Sequence, residues 1–226
     1  MYEPSEDSFL LKKHIKDFCK PTPSFSVLDL GTGSGILAFE AAKYSKNVTA
    51  SDIDEELIKD LKRQHNQKNV NNINLKKSKT SLQKVGIKKI KFIHSDLFSN
   101  IKGRFDLIIF NPPYLPTKTI KTKDLITNSS DIKKTIKNSD DAIENKKIIK
   151  NNYKYIDLDG GKNGTEIIER FLKDAKKYLK KGGSVLLLTS SLNKNIEKLF
   201  KKYKCEYKLL EEEKFFFEKL YVWVLR

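Results

Sequence analysis

Arginine and cysteine are scarce in this sequence. Only four of its 45 basic residues are arginines, although the formal net charge is +16. Because arginine forks are the usual readers of phosphates and base edges, this scarcity argues against a specialised nucleic-acid reader. The two cysteines, Cys19 and Cys205, have no histidine or cysteine at ligand spacing, so neither a disulfide framework nor a metal site is predicted.

Long apolar runs and a basic leader are missing as well. The longest apolar runs are of strand length, too short for a membrane-spanning helix. The first residues, Met1 to Asp7, are acidic where a secretion signal is basic and then apolar. We therefore expect a soluble, cytoplasmic protein with no membrane partner. Its 226 residues suffice for a single α/β domain over residues 1–226.

Two stretches lack the large apolar side chains that a core requires. Residues near 74–89 are basic without any acidic residue, and residues near 117–155 are rich in lysine, asparagine and serine. Both are interpreted as insertions into the domain, the second with a marginal helix near residues 140–150. Because the second stretch closely follows Tyr114, a role as a substrate lid stays open.

The chain is organised around the segment from Phe105 to Tyr114. Its first six residues, Phe105 to Phe110, predict a strand buried on both faces of a parallel sheet. Pro112 and Pro113 then end the strand, because proline fixes its own φ and cannot donate to a sheet ladder. The sequence predicts a stiff rim at the carboxyl end of this strand.

This rim has the groups needed to hold a planar NH2 group. The Asn111 side-chain oxygen and the Pro112 carbonyl can each accept one hydrogen, and the Tyr114 ring can stack on the plane. Holding both hydrogens withdraws the nitrogen lone pair from conjugation. An amide or exocyclic amine then becomes a positioned nucleophile, an effect worth about 7–11 kcal/mol at best. The alternative is a plain Pro-Pro turn that closes an ordinary strand.

Upstream, a strand, a glycine turn and a helix follow one another. The predicted strand Phe25–Gly31 leads into glycines at positions 31, 33 and 35, and Ile36–Tyr44 is predicted as a helix. A dinucleotide site requires Gly-x-Gly-x-x-Gly, so that pyrophosphate meets the helix N-terminus. Here the pattern is Asp-x-Gly-x-Gly-x-Gly from Asp29 onwards, and a carboxylate suits a cationic ligand better than a pyrophosphate.

Two later carboxylates fall at the ends of the next strands. Asp52 ends the second predicted strand, where it can accept hydrogen bonds from both ribose hydroxyls. Asp54 is predicted to cap the following helix, from Glu55 to about residue 69. After the third strand, Asp96 can accept from an adenine amino group, and Leu97 can offer its backbone N–H to a ring nitrogen. A helix cap is the alternative for Asp96.

A cover helix is predicted near the N-terminus. Ser5 can cap it, and Phe9, Leu10, Ile15 and Phe18 give it an apolar stripe. Capping does not account for Ser8, whose hydroxyl falls inside the first turn and can reach a ligand.

The second half of the chain continues the alternation of strands and helices. Residues 157–164 predict a glycine loop before a helix at 165–179, which two glycines at 182–183 end. A buried fifth strand and two closing strands around an acidic turn at residues 211–214 follow. We therefore expect an α/β fold with a mostly parallel sheet.

Taken in order, these motifs resemble the HemK-like methyltransferases, specifically the eukaryotic and archaeal branch that modifies a class I translation termination factor. The resemblance rests on Tyr2–Ser8, Asp29–Gly35, Asp52, Asp96–Leu97, Asn111–Tyr114 and Asp159–Gly164. It implies a class I methyltransferase fold. This is a seven-stranded, mostly parallel Rossmann-like sheet with helices on both faces and an antiparallel closing strand.

The resemblance also implies an activity, in which the methyl group of S-adenosylmethionine is transferred to the side-chain amide of the glutamine in the factor's Gly-Gly-Gln loop. By position, the implied cofactor contacts are Ser8, Asp29, Gly31, Gly33, Gly35, Asp52, Asp96, Leu97 and Asn111. The implied glutamine pocket is Asn111, Pro112, Pro113 and Tyr114, with Asn111, Pro112 and Tyr114 as catalytic residues.

The same branch is similar to enzymes that pair with a small zinc-binding activator protein along the sheet edge. The third strand is the natural edge of this fold, and strand addition there would cover exposed apolar surface. The resemblance therefore implies a heterodimer with such an activator and a class I release factor as substrate.

Three alternatives have less support. A nucleic-acid adenine-N6 or cytosine amino-methyltransferase would use Asn-Pro-Pro-Tyr in the same geometry, but the sequence has neither a target-recognition domain nor an arginine-rich surface. A methyltransferase-like scaffold that only binds RNA or a partner would not need every chemical position filled. The glycine spacing and Asp29 argue against a dinucleotide oxidoreductase.

Overall fold

The computed structural model describes residues 6–20, 22–75, 90–119, 158–215 and 218–226. Its helices are α1 (Glu6–Phe18), α2 (Ile36–Tyr44), α3 (Glu55–Leu75), α4 (Glu166–Ala175) and α5 (Ile196–Lys202), and a 3-10 turn covers Lys176–Tyr178. Its strands are β1 (Ser26–Leu30), β2 (Asn47–Asp52), β3 (Ile90–His94), β4 (Phe105–Phe110), β5 (Leu179–Ser190), β6 (Tyr207–Lys214) and β7 (Lys219–Leu225). None of the helices in these ranges is long and apolar enough to cross a membrane.

The seven strands form one sheet in the order β3-β2-β1-β4-β5-β7-β6. Neighbouring strands are parallel from β3 to β5, and β7 runs antiparallel to both β5 and β6. Strand order turns back between β1 and β4, which is where open α/β sheets form a crevice at the carboxyl ends of their strands. The predicted fold, with its antiparallel closing strand, is confirmed.

Helices cover both faces of the sheet. Helices α1, α2 and α3 pack on one face, and α4 and α5 pack on the other. Strand β4 contributes to both apolar layers, because Leu107 and Ile109 face the first and Ile108 and Phe110 face the second. All four side chains are at most 1% exposed. The prediction of a strand buried on both faces is therefore confirmed.

Two helices differ from the prediction. In α1 the apolar stripe is Leu10, Leu11 and Ile15, with Phe18 packed against the same cluster, whereas Phe9 is 49% exposed and does not belong to it. Leu11 and Ile15 lie one helical turn apart on the face that meets the sheet, and Phe9 lies off that face. Helix α3 continues to Leu75, beyond the predicted end near residue 69.

The glycines at 182 and 183 do not end a helix. The helix predicted for residues 165–179 ends at Ala175, and both glycines lie inside β5. The pairing of β5 with β4 shifts register between Phe105 and Leu107. A Cβ at Gly183 would come within 3.0 Å of the Phe105 carbonyl oxygen. The two glycines therefore allow a bulge that lies close against β4.

The predicted turn at residues 211–214, which are three glutamates and a lysine, is part of a strand. Strand β6 runs through them to Lys214. Glu211 pairs with Lys13 and His14 of α1, and Glu212 pairs with Lys219 of β7. These partners come from other elements, so the acidic run alone did not reveal them. The two predicted insertions, and the marginal helix near residues 140–150, lie almost entirely outside the described residues.

Candidate active site

A cavity of about 290 Å³ lies at the carboxyl ends of β1, β2, β3 and β4. The segments that directly follow these four strands form most of its wall, and residues of the helices α1 to α4 and of the loop before α4 complete it. The volume is near the lower end of the range for small-molecule sites. Its place at the switch between β1 and β4 is the usual ligand position in open α/β sheets.

The glycine loop after β1 forms one side of the cavity. Gly31, Gly33 and Gly35 have positive φ values of 64°, 50° and 81°. Gly31 and Gly33 line the cavity, whereas Gly35 does not. A Cβ at Gly35 would instead lie 2.8 Å from the Phe39 ring, so this glycine serves the packing of the loop against α2.

Asp29 lies behind the glycine loop and does not line the cavity. It is fully buried, and its Oδ2 accepts hydrogen bonds from the Thr32 hydroxyl (2.6 Å) and from the Ala38 N–H (2.9 Å). Its Oδ1 has no hydrogen-bond partner among the described residues. Burial raises the pKa of Asp29 to about 7. In this structure Asp29 holds the loop to the start of α2 and touches no ligand space.

Asp52 differs from Asp29 in that it lines the cavity itself. Its Oδ2 accepts from the Gly33 N–H at 2.9 Å, and its Oδ1 accepts from the Asp54 N–H at 3.1 Å. Burial raises the pKa of Asp52. Asp54 in turn accepts from the Leu57 N–H at 3.0 Å, so the prediction that Asp54 caps α3 is confirmed.

The turn after β3 forms a third wall. Asp96 and Leu97 both line the cavity, and Leu97 has a φ of 45°. Asp96 accepts from the Arg170 guanidinium of α4 at 2.8 Å, and both side chains are about half exposed. The described residues between β3 and β4 form turns and no helix, and the Ser95 hydroxyl, not the Asp96 carboxylate, accepts from the Asn100 N–H. The helix-cap alternative for Asp96 is therefore wrong.

The rim after β4 carries Asn111, which has a buried side-chain oxygen that is unpaired within the described ranges. Asn111, Pro112, Pro113 and Tyr114 all line the cavity. The Asn111 side-chain Nδ2 donates to the Ser8 hydroxyl oxygen at 3.3 Å. Its Oδ1 is buried and has no partner among the described residues. A buried carbonyl oxygen left unpaired costs about 1–3 kcal/mol, which is typical of a group kept for a ligand.

Asn193 supports this rim, and sequence analysis did not identify it. Its Nδ2 donates to the carbonyl oxygens of Tyr114 (2.7 Å) and Gly164 (2.8 Å), and its Oδ1 accepts from the Ser190 N–H (2.8 Å). Asn193 is buried and lies just after β5. Three hydrogen bonds therefore tie the rim to two other segments. A lone asparagine after a strand has no periodic pattern that predicts such a role.

The glycine loop before α4 lies directly against the rim. Leu115 and Asp159 form a short parallel bridge, and Gly160 donates its N–H to the Leu115 carbonyl at 2.9 Å. A Cβ at Gly160 would come within 2.8 Å of the Pro113 carbonyl oxygen. A Cβ at Gly164 would come within 2.4 Å of the Tyr114 carbonyl oxygen. This loop, predicted as a glycine loop before a helix, also braces the Asn-Pro-Pro-Tyr turn.

Arg170 is the second residue that sequence analysis missed as part of the site. It lies on α4, lines the cavity, and forms an ion pair with Asp96, which lines the same cavity. Its rarity was the one available signal, because the chain has only four arginines. Among the described residues, no group of three or more histidine, cysteine or acidic side chains is arranged to hold a metal ion.

Comparisons with known proteins agree with this geometry. The model of the methyltransferase small domain family matches residues 7–135. A Methanocaldococcus jannaschii protein, named by inference as a protein N5-glutamine methyltransferase, is 35% identical over 193 residues, which are 85% of this chain and 73% of that protein. The release factor glutamine methyltransferase of Buchnera aphidicola is 30% identical over 183 residues, 80% of this chain and 52% of that protein. The chain thus spans about half the length of that curated relative.

Solved structures show the same fold. A subunit of the E. cuniculi Mtq2-Trm112 complex, described as responsible for methylation of the eRF1 translation termination factor, superposes with a TM-score of 0.59 at 19% identity over 99% of this chain and 96% of that one. A T. thermophilus 16S rRNA N2 G1207 methyltransferase, solved with AdoMet and guanosine, gives a TM-score of 0.57 at 18% identity, over 99% of this chain and 43% of that one.

The family model covers more than half of the chain, and the M. jannaschii relative matches most of both sequences. The recognition of HemK-like features in the sequence is confirmed by these matches. The chain belongs to the methyltransferase small domain family.

Proposed function

We propose that this protein transfers a methyl group from S-adenosylmethionine to the side-chain amide nitrogen of the glutamine in the Gly-Gly-Gln loop of a class I translation release factor. The observation that carries the proposal is the buried, unpaired Oδ1 of Asn111 beside a cavity bounded by a glycine loop and Asp52. The names of the M. jannaschii and Buchnera relatives support methylation of a protein glutamine, and the Buchnera name also supports the release factor as substrate.

The residues around the cavity fit the cofactor. S-adenosylmethionine would supply a methyl group on a positively charged sulfur. Gly31 and Gly33 leave the backbone uncovered at the wall, so a ligand can come close to the chain. Asp52 has a carboxylate positioned to accept from ribose hydroxyls, and Asp96 and Leu97 would bind the adenine. Asp29 and Gly35 would not contact the cofactor directly, because they support the glycine loop on the side away from the cavity.

The rim residues would bind and orient the substrate amide. Asn111 Oδ1 and the Pro112 carbonyl each accept one hydrogen of the glutamine NH2, and Pro113 and Tyr114 enclose its plane. Because both hydrogens are held, the lone pair is drawn out of conjugation and directed at the methyl group. The nitrogen gains the methyl and then loses one proton to water, so no strong base is needed beforehand. Asn193 keeps the rim in place through the Tyr114 carbonyl.

The edge of the described sheet supports a partner protein that binds by adding a strand. Strand β3 is at one edge of the described sheet, and a small zinc-binding activator would add a strand there. The solved E. cuniculi protein is itself in complex with Trm112. The formal charge of +16 would speed encounters with a partner on the negatively charged ribosome, at a rate that falls with salt.

The direct test is mass spectrometry of a release factor after incubation with the protein and S-adenosylmethionine, with and without activator. We expect a gain of one methyl group on the glutamine of the Gly-Gly-Gln loop, and none when that glutamine is replaced by asparagine. Oligonucleotides carrying adenine or cytosine serve as the competing substrate. Methylation that is found only in the oligonucleotides and not in the release factor would overturn the proposal in favour of a nucleic-acid amino-methyltransferase.

A further inference from the structure

The first turn of α1 is joined to the end of β4 by one side-chain hydrogen bond. Asn111 Nδ2 donates to Ser8 Oγ at 3.3 Å, although the two residues are 103 positions apart in the chain. Both residues line the cavity. Sequence resemblance implies that Ser8 touches the cofactor, but in this structure its hydroxyl is engaged by the residue proposed to hold the substrate.

The two ends of the Asn111 amide have opposite hydrogen-bonding character. The Nδ2 end donates and the Oδ1 end accepts. With Nδ2 held by Ser8, the acceptor end is the one left unpaired. If the amide turned over, an N–H would meet the NH2 of the incoming substrate, and two donors cannot pair. The reaction therefore depends on which end Ser8 holds.

Ser8 is itself rigidly placed. It is 3% exposed, and its backbone N–H donates to the Asp7 carboxylate. Helix α1 is fixed to the fold by Leu11 and Ile15, which are fully buried. A serine hydroxyl can accept from Nδ2 or donate to Oδ1, and in this structure it accepts from Nδ2. On a rigid, buried turn it holds the amide in this observed orientation at little entropic cost.

We propose that Ser8 is a positioning residue, whose hydroxyl holds the Nδ2 end of Asn111 so that Oδ1 stays available to the reacting NH2 group. This inference rests on the proposed function, since it assigns a role within the same site. It differs from the cofactor contact that the resemblance implies, because Ser8 acts through Asn111 and not on the cofactor.

The test separates these two roles with Ser8→Ala, Ser8→Thr and the control Ser24→Ala, which removes an exposed hydroxyl. We expect Ser8→Ala to lower kcat about tenfold, as loss of one hydrogen bond predicts, and to change the Kd for S-adenosylmethionine less than twofold. Ser8→Thr keeps a hydroxyl and restores most of kcat. A tenfold rise in Kd with unchanged kcat would overturn the inference and make Ser8 a cofactor contact.

A second measurement does not need turnover. The side-chain amide signals of Asn111 can be identified in a 15N–1H NMR spectrum by their loss in Asn111→Ala. We expect these signals to shift in Ser8→Ala and to stay in place in Ser24→Ala. Unmoved signals in Ser8→Ala would refute the inference. If the signals shift but the wild-type protein does not methylate a release factor, the proposed substrate is wrong while the positioning role of Ser8 stands.

Discussion

The two halves of the sheet treat buried polar groups differently. In the half formed by β3, β2, β1 and β4, four buried side-chain oxygens have no partner in the described part of the chain: Asp29 Oδ1, Ser34 Oγ, Ser51 Oγ and Asn111 Oδ1. In the half formed by β5, β7 and β6, the described residues include no such unpaired buried side-chain atom. Trp223 Nε1 donates to Thr189 Oγ1 at 2.8 Å, and Asn193 uses both ends of its amide.

The difference indicates that one half of the sheet serves ligand binding and the other half serves stability. An unpaired buried oxygen costs stability, whereas a paired one stabilises the fold. Two of the four unpaired oxygens belong to Ser34 and Asn111, which line the cavity, where a ligand can supply the partner, while Asp29 and Ser51 lie behind the cavity wall. The parallel half therefore carries the binding groups at its strand ends. The antiparallel half provides a fixed support, and Asn193 connects the two by holding the Tyr114 carbonyl. Substitutions in the first half should affect binding or turnover, and those in the second should affect stability.

The largest effect is expected at Asn111. Asn111→Ala removes one of the two proposed acceptors for the substrate NH2, so kcat for methyl transfer should fall at least about 100-fold, while cofactor binding changes little. Single-turnover transfer to a release factor measures the first and calorimetry the second. The matched control is Asn66→Ala on the exposed face of α3. Unchanged turnover in Asn111→Ala would remove the proposed role of the rim.

Asp52 should show the next largest effect. Asp52→Ala deletes a charge-assisted acceptor, and each such bond is worth roughly 1.5–3 kcal/mol. The Kd for S-adenosylmethionine should therefore rise at least about tenfold in calorimetry. Asp17→Ala, at an exposed site on α1, is the control. A Kd that stays near the wild-type value would show that this carboxylate only shapes the glycine loop through Gly33.

A substitution in the antiparallel half should lower the stability of the fold and leave cofactor binding unchanged. Thr189→Val leaves the buried Trp223 indole N–H without its acceptor, which should lower the free energy of unfolding by about 1–3 kcal/mol. Cofactor Kd should remain within twofold. Urea unfolding measures the first quantity, with Thr49→Val as a β-branched control. If Thr189→Val weakens cofactor binding as much as Asp52→Ala does, the two halves are not separate in function.

Sequence patterns predicted the strands and the cavity wall because these are local signals. An apolar run of six residues is enough to predict β4, and the glycine spacing after Asp29 predicts a close turn. The resemblance implied that Asp52, Asp96 and Asn111, each at a strand end, contact one cofactor, and all three line one cavity. The observed strand order explains this, because parallel strands bring their carboxyl ends to one edge of the sheet.

Contacts between distant segments could not be predicted in the same way. Asn193 and Arg170 act through the Tyr114 carbonyl and the Asp96 carboxylate, and no spacing in the sequence encodes either pair. The glycines at 182–183 fit a helix end and a strand bulge equally well by residue type. Only the close approach of β4 decides for the bulge. The sequence thus specified which elements form, while tertiary packing decided which polar groups they share.

Asp29 offers the finest test of the comparison, because its unpaired Oδ1 belongs to the binding half but touches no ligand space. Burial raises its pKa from an ordinary 3.8 to about 7. Between about pH 4 and 7 the folded protein therefore keeps a proton that the unfolded chain releases. The free energy of unfolding should fall as pH rises through this window, by at most about 1.4 kcal/mol per pH unit.

The variant Asp29→Asn has no proton to lose at this position. Its amide can still accept from Thr32 and Ala38, so it should fold with a similar loop. The unfolding free energy of the wild type minus that of Asp29→Asn should decline from pH 5 to pH 7 and level off above pH 7, as measured by urea unfolding without cofactor. The titration of Asp52, present in both proteins, largely cancels in this difference. A difference that is flat or rises with pH would show that Asp29 is ionised throughout, and that its Oδ1 is paired in solution as the polar groups of the supporting half are.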